Sequence, residues 1–120
     1  MSALPIVEIR LEHGAWQART ISVIARVGGR AAGAGSMEVS GPCAGIFGAS
    51  VLPEFRRRGI QQALLAERLN IAAERGAVVA CIGSKPGIGT ERNVRRMGFQ
   101  LAYTKVHLVR PGEGWMAVAY

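Results

Sequence analysis

The segment Val51-Leu52-Pro53-Glu54-Phe55-Arg56-Arg57-Arg58-Gly59-Ile60-Gln61-Gln62-Ala63-Leu64-Leu65 limits what this chain can fold into more than any other. An apolar strand runs into a proline, a basic turn follows, and a glycine opens an amphipathic helix. The first N–H groups of a helix have no acceptor within it. Gathered at one point and ringed by the guanidinium groups of Arg56, Arg57 and Arg58, they favour a bound anion, and a pyrophosphate fits both features. A side chain in place of Gly59 would crowd such phosphates. Glu54 reads as a solvated loop carboxylate rather than a base.

The chain has 120 residues, enough for one domain with one modest core. Residues 20–110 read as that core, 1–19 as an N-terminal segment and 111–120 as a tail. The net charge of +7 suits nucleic acid, an acidic membrane or a polyphosphate ligand. Position separates these. The arginines gather at 56–58 and at Arg92, Arg95 and Arg96, beside helix starts and faces, and aromatic residues do not interleave with them, which weighs against nucleic acid. No apolar run approaches the ~20 residues of a membrane helix. Met1-Ser2-Ala3-Leu4-Pro5 lacks the basic and apolar regions of a secretory signal, so a cytoplasmic location is expected. Cys43 and Cys81 each adjoin apolar strand-like sequence and belong to no ligand-spaced set. They are expected to be buried, reduced thiols, with no metal site. Neither His13 nor His107 stands in a pattern that marks it as catalytic.

Hydropathy patterning gives the element order. Thr20–Val27 and Ala31–Val39 flank Gly28-Gly29 as a hairpin. After Ser40-Gly41-Pro42, Ala44–Val51 is a third strand, with Gly45 or Gly48 as the place for a bulge. Small residues from Ala31 to Gly35 leave room for another backbone to approach. Beyond Gly59, the residues Ile60, Leu64, Leu65, Leu69, Ile71 and Ala72 form a helical apolar stripe, with Glu67, Arg68, Glu74 and Arg75 largely opposite and Gly76 as the stop. Ala77–Ile82 reads as a strand buried on both faces, parallel to the third strand through the helix. Thr90 is the expected cap of a short helix through Met97 that stops at Gly98. Phe99–Val109 alternates as a final strand, with Tyr103 and His107 on one face. Ile6–Leu11 suits an edge strand, and Trp16 and Trp115 suit the edges of a core or an interface. The fold class is therefore α/β (α+β): a mixed, mainly antiparallel twisted sheet with a central β-α-β crossover.

Two stretches within this order resemble the GNAT superfamily of acyl-coenzyme A N-acyltransferases. Arg56-Arg57-Arg58-Gly59-Ile60 is similar to the family's phosphate motif, Arg or Gln, two residues, Gly, one residue, then Gly or Ala, with Gln61 standing where Gly or Ala is usual. Thr90-Glu91-Arg92-Asn93-Val94-Arg95-Arg96-Met97-Gly98-Phe99 resembles the short helix and Gly-Phe turn of one family branch. The resemblance implies acetyl-coenzyme A as cosubstrate. It implies a pyrophosphate held by amides from Arg57 through Gly59 and Ile60 to Gln61, and a pantetheine arm lying beside Val51. It assigns the Val51 N–H to the thioester carbonyl and Asn93 to the pantetheine arm. Acetyl would pass to an amine by direct attack, without an acyl-enzyme.

The departures from the family are as informative. Val94 stands where many members carry a tyrosine acid, which leaves Tyr103 as the candidate. Ala44–Val51 carries no Asp or Glu to act as a base. Only about nineteen residues precede the hairpin, fewer than the helices and strand usual in the family. A homodimer, or a missing N-terminal half, is therefore expected as partner. The alternative function is a coenzyme A-binding module without turnover.

Overall fold

The computed structural model describes residues 7–12, 20–84, 87 and 89–114. The chain divides into two compact units, residues 1–83 and 84–120. The described residues of the first unit carry five strands in one sheet: β1 (Val7–Glu12), β2 (Thr20–Val27), β3 (Arg30–Ser40), β4 (Cys43–Val51) and β5 (Val79–Ile82). They lie side by side in chain order. The first four pair antiparallel, whereas β4 and β5 run parallel. A parallel pair needs a long return, and α1 (Ile60–Glu74) supplies it.

The core forms where the period-two face of the sheet meets the apolar stripe of α1. On β2, Ile21, Val23, Ala25 and Val27 are buried in strict alternation. Met37 of β3, Ala44 and Ile46 of β4, and Ile60, Leu64, Leu65, Ile71 and Ala72 of α1 complete it. The helix ends as expected at Gly76. The Gly76 N–H donates to the Ala73 carbonyl at 3.0 Å and the Ala77 N–H to the Ala72 carbonyl at 3.0 Å, the paired bonds of a Schellman stop.

In the second unit, α2 (Gly89–Arg96) ends in the same motif at Gly98, where the Phe99 N–H donates to the Val94 carbonyl at 3.1 Å. Thr90 lies inside this helix rather than capping it. Near the helix start, the Glu91 carboxylate accepts from the Gly87 N–H and from Arg95. Those two donors hold its carboxyl below the ordinary range, the backbone bond first.

Three expectations are corrected. β5 begins at Val79 and is not buried on both faces: Val79 is 51% exposed and Cys81 is exposed as well. A continuous apolar run fits a central parallel strand, but among the described residues β5 pairs with β4 alone and stands at the edge of the sheet. The thiols are likewise not a buried pair, since Cys43 is half-buried. Burial and the neighbouring Cys81 side chain push the Cys43 thiol above its ordinary range. Finally, Phe99–Val109 forms no strand. Leu101 and Tyr103 are 68% and 76% exposed, and Leu108 is 91% exposed. Alternation prepares a segment to be a strand, but a strand also needs a neighbour for its N–H and C=O groups, and none of the described strands pairs with this one. His13, Trp16, Trp115 and the tail from 115 lie outside the described residues.

Candidate active site

The basic turn is built on Pro53–Phe55, a single turn of 3-10 helix opened by the proline. Proline suits that place, where no N–H is required. Phe55 is buried and anchors the turn. The guanidinium groups of Arg30 and Arg58 lie over its ring, 5.3 and 5.6 Å from the centroid. Arg30 also meets Glu54 at 3.6 Å, an exposed pair that contributes little stability. The three consecutive arginines thus have separate tasks. Arg56 donates from Nε to the Val51 carbonyl at 3.1 Å and ties the turn to the end of β4. Arg57 holds the left-handed conformation, φ 64°, which is uncommon for a residue with a Cβ. Arg58 covers Phe55. All three are exposed, with Glu54 the only carboxylate in the turn.

Gly59 sits at the cap position of α1 with φ 77° and offers no side-chain cap. The first ladder bond of the helix runs from the Ala63 N–H to the Gly59 carbonyl at 3.0 Å. The N–H groups of Ile60 and Gln62 therefore have no acceptor within the helix. Ile60 buries its side chain below the turn, and Gln61 is half-buried in the first turn. A Cβ added at Gly59 would meet nothing within 4 Å.

Beside this turn the sheet opens. β5 pairs with β4 only as far as Ile46 opposite Ile82. β4 continues to Val51 without a strand on that side among the described residues. The Leu52 N–H donates to the Ala32 carbonyl at 2.8 Å, which makes Gly33 and Val51 a non-hydrogen-bonded pair. The Val51 N–H and C=O are consequently turned away from β3, into the fork. The strands come unusually close here: a Cβ on Gly33 would lie 2.7 Å from the Ser50 carbonyl oxygen.

Arg68 overturns an expectation. Grouped with Glu67, Glu74 and Arg75 on the outer face of α1, it is in fact 2% exposed and lies on the core side. Its Nε donates to the Leu64 carbonyl at 3.1 Å, and its Nη1 to the Ser36 and Phe47 carbonyls at 2.9 and 3.3 Å. Burial lowers its pKa from the ordinary guanidinium value. The sequence carried a signal for this: Ile60, Leu64 and Arg68 recur every four residues on one face. The β4 bulge falls at Gly48, where the register steps from Ser36–Phe47 to Gly35–Ala49, while Gly45 pairs regularly with Glu38.

In the second unit, Asn93 is half-buried on α2 and Val94 is buried. Tyr103 is exposed, and Phe99–Val109 forms no strand, so the strand face it was expected to share with His107 does not form. β4 carries no Asp or Glu. Among the described residues no group of three or more His, Cys, Asp or Glu side chains gathers, and no helix is long and apolar enough to cross a membrane.

The fold has many solved counterparts. The chain is similar to the aminoglycoside N-acetyltransferase AAC(6')-Iy in complex with a coenzyme A bisubstrate analogue, at 18% identity and TM-score 0.74 over 89% of this chain and 99% of that one. An acetyltransferase from Trypanosoma brucei superposes at 14% identity and TM-score 0.73, covering 88% of this chain and 100% of its own. A ribosomal-protein-alanine N-acetyltransferase from Brucella melitensis biovar Abortus gives 15% identity and TM-score 0.73, over 88% and 99%. At such identities the likeness is one of fold. No functionally curated protein matches at the level of sequence. The acetyltransferase (GNAT) family model matches residues 5–99, most of the chain. The protein belongs to the GNAT family of acetyltransferases.

Proposed function

We propose that this chain is an N-acetyltransferase that moves an acetyl group from acetyl-coenzyme A to an amine by direct attack. The observation that carries the reading is the fork in the sheet, with the Val51 N–H turned into it next to an uncapped helix start and a ring of exposed guanidinium groups. The residues present fit the group. The turn from Arg57 through Gly59 and Ile60 to Gln61 would hold the pyrophosphate, with Arg56 and Arg58 supplying positive charge. The pantetheine arm would lie along β4 where β5 has ended. The Val51 N–H would meet the thioester oxygen and stabilise the charge that develops there.

When bound, acetyl-coenzyme A supplies an acetyl group already activated as a thioester. The acceptor nitrogen gives its lone pair to the acetyl carbon. A C–N bond forms, the C–S bond breaks with its electrons on sulfur, and the nitrogen gives its extra proton to water. Because β4 carries no carboxylate, the rate is expected to rise with pH until the acceptor amine is deprotonated and then to level off. A profile of rate against pH for two amines of different basicity checks this. Inflections that stay fixed while the amine changes would place a base in the protein instead.

Two measurements test the reading. Saturating acetyl-coenzyme A is expected to raise the melting temperature, since ligand at a hundred times Kd stabilises by about 2.7 kcal/mol. No shift at saturation would remove the cofactor site. Release of free thiol with a panel of amines then separates turnover from binding. A β4 without carboxylate and Val94 in place of a tyrosine favour a second reading, a binding module, and a module would bind without releasing thiol above the hydrolysis background.

A further inference from the structure

Arg68 is a buried cation whose acceptors among the described residues are all main-chain oxygens. Such a group is costly, and an apolar residue of the same length would fill the space more cheaply. Its surroundings are nonetheless built for it. Nη1 donates to Ser36 on β3 at 2.9 Å and reaches Phe47 and Gly48 on β4 at 3.3 and 3.5 Å. Those residues are the bulge: Ser36 pairs with Phe47, Gly35 pairs with Ala49, and Gly48 is the extra residue. Gly48 has φ 59°, which glycine adopts without strain. Opposite it, a Cβ on Gly35 would lie 2.7 Å from the Arg68 Cζ, so a side chain there would displace the guanidinium from this position. Arginine, glycine and bulge interlock.

A bulge leaves carbonyls that the ladder does not use and sets the phase of everything beyond it. Beyond this one lie Ala49, Ser50 and Val51, the edge of the fork. Nε of the same guanidinium bonds Leu64, one turn back on the helix that begins at the basic turn. One side chain therefore ties α1 to the strand end that aims the Val51 N–H.

We propose that Arg68 is a positioning residue for acetyl transfer, holding the β4 bulge so that the Val51 N–H meets the thioester carbonyl. The proposal rests on the acetyl-coenzyme A reading above. It separates two effects. The hydrogen bonds of Arg68 go to Leu64, Ser36, Phe47 and Gly48, none of them in the phosphate turn, so affinity for the cofactor survives its loss. Polarisation of the carbonyl does not.

The test uses acetyl-coenzyme A labelled with carbon-13 at the acetyl carbonyl, bound to the full chain and read by difference infrared spectroscopy beside calorimetric affinity. In the parent protein the carbonyl stretch is expected to fall below that of the free thioester. In Arg68→Met the shift is expected to vanish while Kd stays within about threefold. Arg68→Lys should keep part of the shift, since it retains charge but loses the fork of donors. Should the methionine variant fail to fold, Arg68→Ala supplemented with guanidinium ion below denaturing concentration replaces it, and return of the shift with the ion supports the proposal. A full shift in Arg68→Met or in unsupplemented Arg68→Ala overturns the role of Arg68 and leaves the function intact. A parent protein that binds no labelled cofactor, or binds it without a shift, overturns the function and this proposal with it.

Discussion

Valine at position 59 is expected to weaken coenzyme A binding about tenfold or more, and calorimetry on Gly59→Val measures it. Gly59 holds φ 77° at the cap of α1. An L residue in that conformation carries roughly 1–2 kcal/mol of strain, and a β-branched one more. The free protein sheds the strain by letting the turn relax. Binding must then restore the turn, and affinity falls by that amount, at about 1.4 kcal/mol per tenfold. Gly59→Asn separates strain from crowding. Asparagine tolerates the left-handed conformation, and the space around the missing Cβ is open. If strain governs, the asparagine variant binds close to the parent. If the side chain collides with bound phosphates, it binds as poorly as valine. Unchanged affinity in both variants would move the pyrophosphate away from this turn.

The largest effect on stability is expected from Leu64→Ala, at about 3 kcal/mol, or roughly 10 °C in melting temperature. Leu64 is fully buried in the second turn of α1. Removing its branched end leaves a cavity between helix and sheet that a close-packed interior fills only in part. The contrast is Val78→Ala. Val78 is 85% exposed and should cost no more than about 0.5 kcal/mol. Denaturant unfolding of both variants checks the pair. Equal destabilisation would mean that the core is not where α1 meets β2, β3 and β4.

What the sequence made legible was whatever is local. The Gly28-Gly29 hairpin, the helix from Ile60 with its stop at Gly76, and the strand–proline–basic turn are each specified by neighbours within a few residues, and each stands where the pattern puts it. The two misread strands are questions of partnership. Phe99–Val109 has the alternation of a strand but pairs with none of the described strands, and the apolar run at Ala77–Ile82 has the composition of a sheet centre but stands at the edge of the described sheet. The site divides the same way. The basic turn was visible in the motif, but the separate tasks of Arg56 and Arg58 come from contacts with Val51 and Phe55 that charge alone does not reveal. Arg68 was assigned to solvent by residue type, although its spacing from Leu64 already placed it on the buried stripe. Chemistry misled where periodicity was right.

The interlock of Gly35, Gly48 and Arg68 also bears on inheritance. Each member is a poor choice by itself: a buried cation, a glycine inside a strand and an extra residue in a ladder all destabilise alone. Their merits exist only jointly, so a lineage cannot exchange one of them gradually while keeping the others. Descendants of this chain would retain the three as a unit or lose them as a unit, and a homologue with a bulky residue at 35 should have abandoned the arginine at 68 too.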